Sequence, residues 1–212
     1  MSKYLLDSLY HQKTPHRTRL STKPMELLCL GLPNSGIESL TSALATLRYN
    51  DIYNNSILST SSQNDCAFWV PLLERKYARG RMRLTRDIDF DSILGDYQAV
   101  TNETACIFGE ELMEYYPAAK VILNRKRDMN AWYTRTQETN LEIFNWWMWL
   151  LSWFDRRLYW LWRTRHLTMH GFYGGDFEGN GKAYAKAYYV DLEDYAKDHG
   201  RECLEWCVED GW

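Results

Sequence analysis

The sequence predicts an α/β fold, a parallel sheet flanked by helices on both faces, and three observations carry that expectation. The short runs "ELLCLGL", "QAVT" and "KVILNRK" hold consecutive apolar residues without alternation, as strands buried on both sides do. Segments with apolar residues at helical spacing lie between them, the pattern of crossover connections in a parallel sheet. Gly31 and Gly36 separate the first run from Leu40, Ala43, Leu44 and Leu47, so the first strand ends in a glycine turn that opens a helix, the arrangement that wraps a phosphate.

At 212 residues, 45% of them hydrophobic, the chain is long enough for one substantial core. A single domain is expected over residues 25–212, preceded by a basic arm at 1–24. Lys3, Lys13, Arg17, Arg19 and Lys23 stand in that arm against Asp7, and it reads as a loosely ordered terminus. A net charge of −3 leaves no global basic field and argues against nucleic acid as a partner. Cys29, Cys66, Cys106, Cys203 and Cys207 are scattered through apparent core segments, which suits buried thiols in a reducing, cytoplasmic setting. No His completes a zinc site with Cys203 and Cys207, and His166 and His170 lack the Glu of an H-E-x-x-H pattern, so no metal is expected.

Taken in order, residues 26–32 read as a strand and 36–49 as a helix. The polar stretch "YNNSILSTSSQN" reads as an exposed loop. Asp65 then caps a helix with Phe68, Trp69, Leu72, Leu73 and Tyr77 on one face, ended by Gly80. A short helix leads into a strand at 98–101, and Asn102 and Thr104 offer caps for a helix over 105–116, stopped by Pro117. The strand at 120–126 opens into another helix at "RDMNAWYTRT". The last third holds a Trp-rich helical region to about 169, a turn "GFYGGDFEGNG", a helix over 182–197 and a final strand "CLEWCV". No apolar h-region opens the chain. The segment "NWWMWLLSWFDRRLYWLW" is broken by Asp155, Arg156 and Arg157, short of the roughly 20 apolar residues that span a bilayer. Its outlets are a pocket wall, a homodimer contact or peripheral membrane contact.

The blocks "LCLGLPNSGIESLTSAL", "ILGDYQAVTNETACIFGEELMEYYPAAKVIL", "RDMNAWYTRT", "LLSWFDRRLYWLW" and "LEWCVEDGW" occur in an order that resembles the sulfotransferase-like P-loop proteins abundant in fungi. The resemblance runs from about residue 25 to the end. It implies a sulfotransferase fold that binds 3′-phosphoadenosine 5′-phosphosulfate, with the 5′ end held by the first loop and the 3′-phosphate by an Arg and a Ser after the strand at 120–126. Where the family reads P-R-T-G-T-S-S-L or P-K-S-G-T-x-x-L, this chain has Pro33, Asn34, Ser35, Gly36, Ile37, Glu38, Ser39 and Leu40. The implied cofactor-binding residues are therefore Asn34, Ser35, Gly36, Ile37, Glu38 and Ser39, with Arg127 and Arg135 for the 3′-phosphate. The family's R-D-x-D-x-W-Y-x-S pattern keeps Arg127, Asp128, Trp132 and Tyr133 but has Asn130 for its second Asp and Arg135 for its Ser. Relatives run on past "VEDGW", so the domain is expected to be shortened at its C-terminus.

These departures open alternatives. Asn34 brings no positive charge to a reaction that builds negative charge on the leaving phosphate, and losing one strong donor costs about 2 to 4 kcal/mol in the transition state. Ser35 and Glu38 fit the S-x-x-E capping box, in which the Glu carboxylate answers the helix's positive end and displaces a phosphate. Equally, Glu38 turns outward and the loop holds phosphate by backbone N–H groups alone. The expectations are thus sulfuryl transfer to a small acceptor or, alternatively, a donor-less member that is a non-sulfating biosynthetic enzyme or a binding module. The acceptor is expected to be a small apolar or aromatic molecule, with Trp69, Trp147 and Trp153 among the pocket walls. No catalytic base is assigned. Without the P-loop Lys and the hydroxyl that binds Mg²⁺, ATP or GTP hydrolysis is not expected.

Overall fold

A computed structural model describes residues 8–11, 13–20, 23–60, 65–78, 87–143 and 146–211. β1 (Leu27–Cys29) is the central strand of a five-stranded, all-parallel sheet. The order across the sheet is β2 (Ile52–Tyr53), β3 (Ala99–Val100), β1, β4 (Lys120–Arg125) and β5 (Cys203–Cys207). Leu28 pairs with Val100 on one side and Val121 on the other. The chain runs outward from β1 to one edge, returns through β3, and then crosses to β4 and β5. The direction therefore reverses at β1, and the loop leaving its carboxyl end lies at the switch point where such sheets bind ligands.

Successive side chains of a strand point to opposite faces, which divides the apolar run of β1 between two cores. On one face the helix Ile37–Thr46 sets Leu40 and Leu44 against Leu27, Cys29, Ile52, Ala99 and Ile122. On the other, Leu28, Leu30, Tyr53, Val100, Val121 and Leu123 share the main core with Trp69 of the helix Cys66–Ala78, Leu112 of Gly109–Tyr115 and Leu192 of Phe177–Asp198. The expected α/β sheet with helices on both faces is present.

Several local expectations change. The stretch read as an exposed loop begins with the last residue of β2, Tyr53, which is fully buried, and contains the helix Asn55–Thr60. A two-residue strand is too short to show periodicity, and its bonds come from β3, far along the chain. The helix expected over 105–116 is divided into Glu103–Cys106 and Gly109–Tyr115, with Phe108 turned into the aromatic core between them. The helix expected from 182 begins at Phe177, because Asp176 caps it by accepting the Gly179 N–H at 2.9 Å and Gly181 leaves room for the Phe177 ring. Gly80, the expected helix stop, lies outside the described residues.

The described part of the basic arm is docked on the core. Arg17 donates to the carbonyl of Ile93 and pairs with buried Asp65 at 3.2 Å. Arg19 pairs with Asp91 at 2.6 Å and donates to the carbonyls of Leu94 and Tyr97. The charge pattern that suggested a solvated arm instead satisfies carbonyls at the ends of short elements. The five cysteines are unbridged, and all but Cys203 are buried. Burial pushes the Cys106 thiol up to about 12, so it packs as an apolar group. No helix among the described residues is long and apolar enough to cross a membrane.

Trp69, expected in a pocket wall, is fully enclosed in the main core. Its indole N–H donates to Tyr53 Oη at 3.0 Å, and the rings of Phe68 and Phe108 lie 5.2 and 5.6 Å away. It packs in the core beneath the sheet. Trp69→Ala is expected to lower the unfolding free energy by about 3 to 5 kcal/mol, read from urea denaturation followed by far-UV circular dichroism.

Candidate functional site

The loop after β1 is shaped from beneath by Asn124 at the end of β4. A Cβ on Gly31 would lie 2.0 Å from Asn124 Nδ2, so only glycine admits the buried amide there. Asn124 Nδ2 donates to Ser35 Oγ at 2.7 Å, and Ser35 Oγ donates to the Leu32 carbonyl at 2.6 Å. Tyr189 Oη donates to the Asn124 carbonyl at 2.8 Å and accepts the Leu32 N–H at 3.2 Å. Trp132 Nε1–H donates to the Pro33 carbonyl at 2.7 Å. The first half of the loop is thereby tied to β4, to the helix Met129–Ile143 and to the helix Phe177–Asp198.

The second half is open. Asn34 and Gly36 have φ of 61° and 96°, a pair of left-handed residues that turns the chain into the helix with Gly36 as its cap. No side chain caps that helix, and the amides of Gly36, Ile37, Glu38 and Ser39 meet no acceptor among the described residues. This corrects the capping-box expectation. Ser35 is committed inward to Leu32 and Asn124, so Gly36 takes the cap position, and Glu38 and Ser39 are exposed on the first turn. Ile37 is buried, and Asn34 Nδ2 donates to Thr136 Oγ1 at 3.2 Å.

The basic cluster at the exit of β4 is answered by acids. Parallel pairing sets Arg125 beside Cys207, so residues 126–128 and the 3₁₀ turn Val208–Asp210 leave the sheet together. Arg125 pairs with Glu193 and with Glu205, Lys126 with Glu209 at 3.6 Å, and Arg127 with Asp210 at 2.5 Å. The Asp210 charge holds the Arg127 guanidinium above its ordinary value. Arg135, two turns into the next helix, pairs with Glu138 at 3.5 Å, so Arg127 and Arg135 have different partners and both keep exposed side chains. Asp128 caps that helix, accepting the N–H groups of Asn130 at 2.8 Å and Ala131 at 3.0 Å, which holds its carboxyl below the usual range. The same segment covers one side of the loop: a Cβ on Gly36 would lie 3.1 Å from Val208 Cβ.

Glu103 was missed by the sequence reading. It follows β3, the neighbour of β1, and its backbone N–H donates to Asn55 Oδ1 at 3.0 Å. Thr41 on the loop's helix and Thr101 at the exit of β3 share a hydrogen bond of 3.0 Å, which joins the two exits. Glu103 keeps partial solvent access. Desolvation pushes its carboxyl above the ordinary value of 4.5, opposed by the Arg165 charge and an Asn55 hydrogen bond and reinforced by Glu38. Tyr173, buried beyond the helix Arg156–Phe172, has a hydroxyl with no hydrogen-bond partner among the described residues. In the sequence, "TNET" looks only like a helix start, and no local signal separates this acid from an ordinary first-turn glutamate.

The aromatic residues expected in one pocket are dispersed. Trp153 packs with Tyr159 and Trp160 in a satellite cluster, whereas Trp147 is exposed and stacks on Trp146. His166 and His170 stack on one helix face with centroids 5.3 Å apart. Among the described residues, no group of three His, Cys, Asp or Glu is placed to hold a metal ion.

The family described as "Sulfotransferase domain" matches this chain over residues 26–212. A protein of Aspergillus versicolor, "Ava biosynthesis cluster protein M", is 31% identical to it over 200 residues, covering 89% of this chain and 73% of that protein.

Gly31→Ala is expected to expel the Asn124 side chain and cost about 1 to 3 kcal/mol of stability, the range for overpacking a filled site. Urea unfolding midpoints would measure it. An unchanged midpoint would show that Asn124 does not brace the loop.

Proposed function

The chain belongs to the sulfotransferase domain family, and on that premise we propose that it binds the sulfuryl donor 3′-phosphoadenosine 5′-phosphosulfate at the loop over residues 31–39 and passes the sulfuryl group to a hydroxyl of a small acceptor. The observation that carries this reading is the row of open amides from Gly36 to Ser39 at the positive end of a ten-residue helix. Those donors fit the phosphate end of the donor, and the exposed guanidinium groups of Arg127 and Arg135 fit its 3′-phosphate. The similarity to a biosynthesis-cluster protein favours a small biosynthetic intermediate as acceptor.

When bound, the donor would supply an activated sulfuryl group, with the bond between sulfur and the 5′-phosphate oxygen breaking and 3′,5′-adenosine bisphosphate leaving. The chain's own residues do the rest. The amides of Gly36, Ile37, Glu38 and Ser39 bind and orient the 5′ end, and the exposed Ser39 hydroxyl adds a donor. Arg127 exchanges Asp210 for phosphate, which an exposed ion pair permits at little cost. A carboxylate oxygen of Glu103 takes the proton of the acceptor hydroxyl, a role that its raised proton affinity suits.

A second reading rests on Asn34 and Ile37. The cation position is filled by an amide engaged with Thr136, and the hydroxyl position by a buried aliphatic side chain. A family member without sulfuryl chemistry would keep the fold and act as a non-sulfating enzyme or binding module.

Calorimetric titration with 3′,5′-adenosine bisphosphate separates the two. Binding is expected, weakened about tenfold or more in Arg127→Ala and tightened about two- to fivefold in Asp210→Asn. Absence of binding, with no sulfation of phenol or alcohol acceptors, would leave the second reading.

In a sulfation assay, Glu103→Gln is expected to lower kcat by about 10² to 10⁴ while leaving bisphosphate binding intact. In the native chain kcat/KM should fall as pH drops through the raised Glu103 value, above 4.5, because protonation removes the base. The Gln variant should lack that limb.

A further inference from the structure

The helix Trp146–Leu151 and the turn after it form a tip with an uncovered apolar surface. Trp146 is 60% exposed, Trp147 57%, Trp149 44%, Leu151 48% and Phe154 79%. Trp146 and Trp147 stack with centroids 3.8 Å apart, and Trp149 meets Trp153 edge-on at 5.2 Å.

The tip is braced from beneath, and the brace brings positive charge to it. Tyr10 Oη donates to the Trp153 carbonyl at 2.7 Å, and Trp160 Nε1–H donates to the Tyr10 carbonyl at 2.8 Å. The Tyr10 ring lies 5.5 Å from that of Tyr159. These bonds hold the N-terminal arm beside the tip, where exposed His11 and Lys13 follow Tyr10 while exposed Arg156 and Arg157 follow the turn. Asp155, the acid in that turn, caps the next helix by accepting the Leu158 N–H at 2.9 Å.

We propose that this tip docks the protein on an anionic lipid surface, with Trp146, Trp147 and Phe154 entering the headgroup boundary and Lys13, Arg156 and Arg157 meeting lipid phosphates. Indole rings prefer that boundary, and basic side chains beside it add attraction to anionic lipid. A second copy of the chain fits less well. The cations beside the tip would repel those of a facing copy, whereas an anionic surface attracts them. The inference does not depend on the sulfuryl chemistry.

The test is flotation of the full chain with vesicles of phosphatidylcholine alone or with roughly a third phosphatidylserine. Partition onto the anionic vesicles is expected to be about tenfold stronger and to weaken with added salt. The double substitution Trp147→Ala, Phe154→Ala should reduce it about tenfold, and Arg156→Glu about fivefold, with unchanged circular dichroism. Val190→Ala, at an exposed position on another helix, should leave it unaltered. Failure to float with anionic vesicles would overturn the proposal, as would flotation indifferent to the tip substitutions. A dimer in size-exclusion chromatography with light scattering that Trp147→Ala abolishes would assign the tip to a second copy instead.

Discussion

The buried hydrogen bond from Asn124 Nδ2 to Ser35 Oγ is the constraint from which the geometry of the site follows. It requires the missing side chain of Gly31, because the amide occupies the space a Cβ would take. It also commits Ser35 inward, and a buried polar group left without its partner costs about 1 to 3 kcal/mol, so the commitment is strong. With Ser35 turned in, Asn34 and Gly36 carry the left-handed turn and the helix begins without a side-chain cap. The open amides are a consequence of that internal bond.

Charge is arranged around this opening in a way that holds cations without locking them. The acids of β5 and the turn after it stand beside Arg125, Lys126 and Arg127 because the two strands run parallel and end together. Exposed pairs of this kind contribute about 0 to 1 kcal/mol, whereas a phosphate accepting charge-assisted bonds from a guanidinium binds more strongly. Asp210 therefore keeps Arg127 oriented while remaining displaceable. Glu38, on the first turn, makes the loop's surroundings less welcoming to an anion than the backbone alone would be. The site combines uncapped backbone amides with both cations and acids around them.

Much of the fold was legible because its signals are local. The runs that became β1, β3, β4 and β5 each hold adjacent apolar residues, and helical spacing marked the elements between them. Asn102 was read as a helix cap and accepts the Thr104 and Ala105 N–H groups. β2 was illegible because a strand of two residues has no pattern. At the site, the glycine loop and the basic exit of β4 were visible, but S-x-x-E suggested a capping box that Ser35's inward bonds preclude. Trp69 and Trp147 look alike as letters, yet one lies in the main core and the other on the surface.

What the sequence by itself determined is the alternation of buried strands with helices, the glycine turn after the first strand and the family to which these belong, since each is written in residues close together along the chain. The tertiary structure alone decided where Ser35 points, which acid meets Arg127 and which glutamate stands at the neighbouring strand exit. The reason is physical. Ser35 and Asn124 are 89 positions apart, and Arg127 meets Asp210 across two adjacent strand ends, so each contact exists only once the sheet has set its register.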